Sequence, residues 1–201
     1  MNKCWSINER FIQISTYIRN INSKHIYLTF DDGPHPSITP WVMDQLAFHG
    51  AKATFFCVGQ NINKYPDTFQ EIKNRGHQVG NHTYNHLKGW FTKNKDYYSN
   101  ISECQNLMPG NKLFRPPYGR IKPTQYFHLR KSFRIIMWNQ LSWDFLKNLD
   151  REKALLGLKK RARQKSIIVF HDSVKAQKNL EYLLPRYLEY LSEEELISRG
   201  L

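Results

Sequence analysis

The sequence predicts an α/β fold built on a parallel sheet, and three features predict it. Short β-branched and aromatic segments alternate with segments of helical period, turn signals separate them, and polar side chains gather just after the strand-like stretches. At 201 residues one domain is the default. An open doubly wound sheet and a barrel both satisfy this pattern. A complete eightfold barrel takes about 250 residues, so a barrel of this length must be trimmed or irregular.

Residues 26–30 (IYLTF) read as the first strand, stopped by the turn signal Asp31-Asp32-Gly33-Pro34. A helix follows, with Thr39 as its cap, Pro40 in its first turn, Val42, Leu46 and Ala47 at helical spacing, and Gly50 as its end. Residues 53–58 read as a second strand. Residues 66–75 read as a helix with Phe69 and Ile72 on one face and Gly76 as the stop. A third strand is expected at 77–80, helix over most of 92–108, extended chain at 112–114 and a strand at 133–138 (FRIIMW). A basic helix at 151–163, a strand at 166–170 (SIIVF) and a helix at 178–191 complete the order. Residues 1–24 read as an extension and 25–201 as the domain.

Composition narrows the classes. A 40% hydrophobic content with 14% aromatics supplies a core and excludes general disorder. No apolar run approaches the ~18 residues of a membrane span. The start, MNKCWSINERF, lacks an apolar stretch after its charges, so no secretory signal is expected. Cys4, Cys57 and Cys104 share no metal-type spacing, and reduced thiols in a cytoplasmic chain are the expectation, with a cell-envelope role left open.

The chemistry-capable residues fall at strand ends. Asp31 and Asp32 follow the first strand and His82 and His86 the third. Arg115 and Tyr118 close FRPPYG, Asp144 follows FRIIMW, and His171-Asp172 cap SIIVF. In parallel α/β folds these ends share one face, where sites are built. A helical stretch at 82–86 would put both imidazoles on one side, where they can hold one metal. A carboxylate beside them makes a two-histidine, one-carboxylate set with open positions. The second adjacent carboxylate is then free to take a proton. His171 beside Asp172 fits a tuned acid or base.

In this order the clusters resemble the polysaccharide deacetylases, carbohydrate esterase family 4. TFDDGP at 29–34, HTYNH at 82–86, RPPY at 115–118 and VFHD at 169–172 match its motifs, over about residues 25–192. The resemblance implies a distorted, incomplete (β/α) barrel of about seven strands, a trimmed form of the eight-stranded barrel. It implies that Asp32, His82 and His86 bind a divalent metal, usually zinc, with cobalt, nickel or manganese as alternatives. Asp31 would be the general base, Arg115 its orienting partner and His171 the general acid. The Tyr118 N–H would line an oxyanion site, and Val169 would lie in the pocket for the acetyl methyl. The reaction implied is removal of N-acetyl groups from N-acetylglucosamine-type sugars in a polysaccharide, oligosaccharide or lipid-linked glycan.

The fourth motif departs from the family pattern. Asp144 is kept, Phe145 stands where Trp is usual, and Leu141 sits where an Asp that tunes the histidine is expected. Without that carboxylate the His171 pKa should be lower, unless Asp172 or Asp144 compensates. Phe145 could still wall the methyl pocket. The departure motivates an alternative, a catalytically impaired carbohydrate-binding relative. An iron-dependent oxygenase using the same ligand triad is a further reading, which Asp31 and His171 fit less well.

The charge is +13, from 30 Lys+Arg against 17 Asp+Glu. Residues 159–165 (KKRARQK) concentrate it, and a solvated helix face is the plain reading. Basic residues interleaved with stacking aromatics are not found, so nucleic acid is not an expected partner. A carbohydrate partner, anionic in one version, is expected; attraction to acidic lipid is the other reading of the charge. Trp90, Phe91, Tyr97 and Tyr98 could stack on sugar rings or pack in the core. A monomer is expected.

Overall fold

The computed structural model describes residues 24–201. The extension expected at 1–24 lies outside the described residues except for Lys24. Eight strands form one parallel sheet: β1 His25–Asp31, β2 Ala53–Cys57, β3 Gln78–Asn81, β4 Leu113–Phe114, β5 Arg134–Ile135, β6 Gln140–Leu141, β7 Ile167–His171 and β8 Ile197–Ser198. Their order is β5-β4-β3-β2-β1-β7-β6, with β8 beside the start of β1. The helices are α1 Ile38–Phe48, α2 Gly59–Lys64, α3 Pro66–Asn74, α4 Asn94–Asn106, α5 Pro123–Leu129, α6 Arg151–Arg161 and α7 Gln177–Glu193.

The sheet curls, yet β5 and β6 at its two ends do not pair. This is the incomplete barrel that the length required. Side chains alternate across each strand, so Leu28, Phe30, Phe55, Ile168 and Phe170 point outward beneath the helices. Phe30 sits at the centre of this layer, its ring 5.1 Å from Phe55 and 5.9 Å from Phe170. Thr29, Asp31, Val169 and His171 point to the opposite, inner side. There Phe56, Leu113 and Ile136 form a smaller apolar cluster.

Register carries the inner residues to one end. Thr29 pairs with Val169 and Asp31 with His171, so the last residues of the two central strands stand side by side. Because β1 to β7 are all parallel, their carboxyl ends share that face, whereas β8 pairs only with the first two residues of β1, at the opposite end.

Several local expectations are corrected. Thr39 does not cap α1: Ser37 precedes the helix without a side-chain cap, and Thr39 is completely buried inside its first turn. Met43 rather than Ala47 faces the core, because Ala47 has turned to solvent at the helix end. The strand expected at 133–138 is confined to Arg134–Ile135, since the following residues leave the sheet to cross its open side. The short elements α2, α5, β6 and β8 carry too few residues to show a period.

Candidate metal and catalytic centre

Asp31 ends β1 and is 4% exposed, and Asp32 follows with φ +81°. That left-handed backbone turns the second carboxylate away from the strand's alternation. The turn is anchored from behind. Asp172 accepts hydrogen bonds from the Gly33 N–H and the Thr39 hydroxyl, and a Cβ on Gly33 would lie 2.1 Å from that carboxylate. Thr39 therefore braces the acidic turn rather than capping a helix.

His82 follows β3, its N–H bonded to the Cys57 carbonyl at 3.0 Å. The stretch 82–86 is not helical, contrary to expectation. Thr83 and His86 have φ of +66° and +58°, so the chain makes a tight loop. Asn100 Oδ1 accepts from the N–H groups of Tyr84 and Asn85, at 2.9 and 3.3 Å, and holds that loop. The loop brings the imidazoles together, ring centroids 5.1 Å apart, by a route other than a helix face.

Asp32, His82 and His86 present one donor atom each, all within 4.8 Å of one another. Asp32 Oδ1 lies 3.1 Å from His86 Nε2 and 3.7 Å from His82 Nε2. Donors ~2.0–2.1 Å from a tetrahedral ion stand at about this mutual spacing. His82 Nδ1 donates to the Arg115 carbonyl at 2.8 Å, leaving the Nε2 lone pair for a cation. Burial lowers the His82 pKa to about 4, with His86 adding to it and Asp31 and Asp32 opposing, so the ring is neutral as a ligand must be. Burial alone would raise the Asp32 carboxyl, but the imidazoles of His86, His171 and His82 hold it well below the usual carboxylate range. The donor set fits a divalent cation.

Asp31 and His171 flank this set. Arg115, with no exposed surface, gives Nη1 to Asp31 Oδ1 and to Thr29 Oγ1, both at 2.7 Å. Its guanidinium lies 4.1 Å above the Phe56 ring and 5.7 Å from Trp138. The Asp31 carboxylate is thereby fixed on one oxygen and open on the other, whose distance to His82 Nε2 is 3.9 Å.

His171 Nδ1 lies 2.7 Å from Asp144 Oδ1, while Asp144 Oδ2 accepts the His171 backbone N–H at 2.8 Å. Burial, the largest effect, lowers the His171 pKa; the charge and hydrogen bond of Asp144 override it, Asp32 and Asp31 add, and the result is about 9. The expected lowering is overturned, because Asp144 is the partner that Leu141 appeared to have replaced. Asp172 instead faces the Gly33 turn. Asn179 fixes the Asp144 loop by donating to the Asp144 and Leu146 carbonyls at 2.7 and 2.8 Å.

Phe145 packs edge-on to His171 at 5.1 Å, and Val169, 1% exposed, pairs with both Thr29 and Leu141. Tyr118, φ +60°, lays its ring 4.6 Å from His86. All the residues singled out thus meet at one end of the sheet. Sequence reasoning missed Thr29, Asn100 and Asn179, which only tertiary contact reveals. It also missed Lys88, 4.5 Å over the Tyr118 ring, and Lys175, 5.3 Å over Phe145. Of the aromatics that could stack on sugars or pack in the core, Trp90 and Phe91 are exposed, Tyr98 is half-buried against the core and Tyr97 is core.

A curled parallel sheet with this centre defines a metal-binding hydrolase-like (β/α) scaffold. Residues 19–131 match the polysaccharide deacetylase family model, and the chain belongs to that family. It is 40% identical over 125 residues to a peptidoglycan-N-acetylglucosamine deacetylase of Bacillus cereus, covering 59% of this chain but 45% of the relative. It is 35% identical over 163 residues to a chitooligosaccharide deacetylase of Azorhizobium caulinodans, covering 75% of each. Among solved structures, the Bc1960 peptidoglycan N-acetylglucosamine deacetylase superposes with a TM-score of 0.83 at 28% identity, over 90% of this chain and 88% of that one. A family 4 carbohydrate esterase from Streptomyces lividans, in complex with acetate, gives 0.78 at 28% identity, over 87% and 91%.

Proposed function

We propose that this chain removes acetyl groups from N-acetylglucosamine units of a glycan of the peptidoglycan or chito-oligosaccharide kind. The observation that carries the reading is one cluster: Asp31 and His171, register partners on adjacent strands, stand at the same strand ends as the Asp32–His82–His86 set, with Asp31 Oδ2 3.9 Å from His82 Nε2. A divalent cation held by those three residues, zinc by preference, would polarise the amide carbonyl and acidify water.

The chain's own groups complete the reaction. Asp31, oriented by Arg115, takes the proton of the attacking water through its free oxygen. The Tyr118 N–H lines the place where negative charge develops on the former carbonyl oxygen; a donor there contributes about 3 kcal/mol. His171, protonated at neutral pH through Asp144, gives its Nε2 proton to the departing amine. Val169 and Phe145 wall the space beside His171, which suits an acetyl methyl. Acetate and the free amine leave. Lys88 and Lys175 have no acidic partner among the described residues and suit a glycan that carries carboxylates. The impaired-relative reading loses its motive, since the carboxylate for His171 is present.

The test is acetate release from chito-oligosaccharides and from peptidoglycan fragments by the zinc-loaded chain. Release that chelation abolishes and zinc restores is expected. No release from either substrate with any divalent metal would overturn the proposal.

A further inference from the structure

The basic run at 159–165 lies far from the centre just described. It spans the last turn of α6 and the link into β7, whose start is four residues, ~13 Å, from His171. The same end of the sheet collects other cations, because strands begin there. Lys112 precedes β4, Arg134 opens β5, and Arg163 and Lys165 precede β7; Arg199 follows β8 but lies at this end because β8 pairs only with His25 and Ile26 at the start of β1. All five are exposed, and none forms an ion pair among the described residues. They line the strand starts: the Arg134 N–H donates to the Lys112 carbonyl at 2.7 Å, the Lys165 N–H to the His25 carbonyl at 2.7 Å, and the Arg199 N–H to the Ile26 carbonyl at 3.0 Å. Of the acids at this end, Glu195 is paired with Lys24, and Asp44 and Glu71 with Arg75. Glu103, Glu193 and Glu194 are outnumbered.

Two large apolar side chains stand out on this face. Phe48, at the end of α1, is 86% exposed, and Ile197 in β8 is 50% exposed. His49 links them: Phe48 packs edge-on against its ring at 5.1 Å, and His49 lines one cavity together with Ile197. A soluble polyanion rewards the cations but not a bare phenyl ring. A bilayer rewards both, through lipid phosphates and through burial of apolar side chains at the headgroup boundary.

We propose that the face formed by the amino ends of the strands docks on an acidic phospholipid surface, with Phe48 and Ile197 entering the headgroup layer. The catalytic end then points away from the membrane, toward glycan above it.

The experiment is sedimentation of the full chain with vesicles of phosphatidylcholine, with and without phosphatidylglycerol, at low and high salt. Binding that requires phosphatidylglycerol and weakens with salt is expected. The double variant Arg163→Glu with Lys165→Glu should lose at least about tenfold in vesicle affinity, from ~1 kcal/mol per basic residue near the surface. Phe48→Ser should weaken binding while the salt dependence stays. Acetate release from a soluble oligosaccharide should be unchanged in both variants. Indifference to phosphatidylglycerol, or parent-like binding by the double variant, overturns the proposal. So does equal competition by soluble polyphosphate together with no effect of Phe48→Ser, which would make the face a polyanion site.

Discussion

Replacing Asp144 by Asn tests the proton-donor assignment at its most exposed point. The substitution keeps the size of the side chain and one acceptor oxygen but removes the charge. His171 is held at about 9 against burial, and Asp144 is the strongest of the groups that raise it. Without it, burial is opposed only by the weaker pull of Asp32 and Asp31, so the pKa of the ring falls below 9. Each tenfold loss of the protonated form corresponds to ~1.4 kcal/mol between the two protonation states. A fall as far as the ordinary 6.5 would leave about a tenth of the rings protonated at pH 7.5, so kcat should fall there by up to about tenfold. Loss of ring orientation enlarges the deficit. A general acid works only while protonated, so the parent's alkaline limb reflects loss of the His171 proton. In Asp144→Asn that limb should move to lower pH, and kcat should recover as the assay is made more acidic. The assay is acetate release across pH, with cation content measured at each point. An alkaline limb at the same pH in both proteins would refute the role of Asp144, and with it the account of His171.

Three other outcomes follow from the same geometry. Asp31→Asn should keep its cation, because Asp31 is outside the donor set, yet lose at least about a hundredfold in kcat, the usual scale for a proton-transfer group. His82→Ala should lose the cation itself, which metal analysis after gel filtration will show. Phe30→Ala, at the centre of the outer layer with no exposed surface, should cost about 3–5 kcal/mol in denaturant unfolding and leave the site's pH profile unchanged in the folded fraction.

The strands with dense β-branched and aromatic content were legible: IYLTF and SIIVF are β1 and β7, the two whose ends hold the proton-transfer pair. Strands of two residues were not, since β6 is held by its partner β7 rather than by its own pattern. The candidate site was readable because its side chains occur at strand ends in an ordered series. What the sequence hid is how they are held. The spacing of His82 and His86 suggested a helix, but positive φ at Thr83 and His86 makes a loop of the same reach. Asp144 and Leu141 sit three positions apart, and only the fold of the 142–146 turn, with Trp143 at φ +59°, decides which faces His171. Thr39 looked like a cap because Thr caps many helices; its hydroxyl is drawn instead to the buried Asp172 carboxylate.

Arg115 belongs to both halves of the centre at once. Its guanidinium positions the proton acceptor, Asp31, and its backbone carbonyl orients a cation ligand, His82. The two halves are therefore assembled as one cooperative unit. A displacement of the 115–118 segment spoils acceptor and ligand together, so a half-built centre, cation bound but base adrift, is scarcely populated. Moving the backbone there strikes both halves, whereas trimming only the guanidinium leaves the carbonyl on His82 and strikes the acceptor alone.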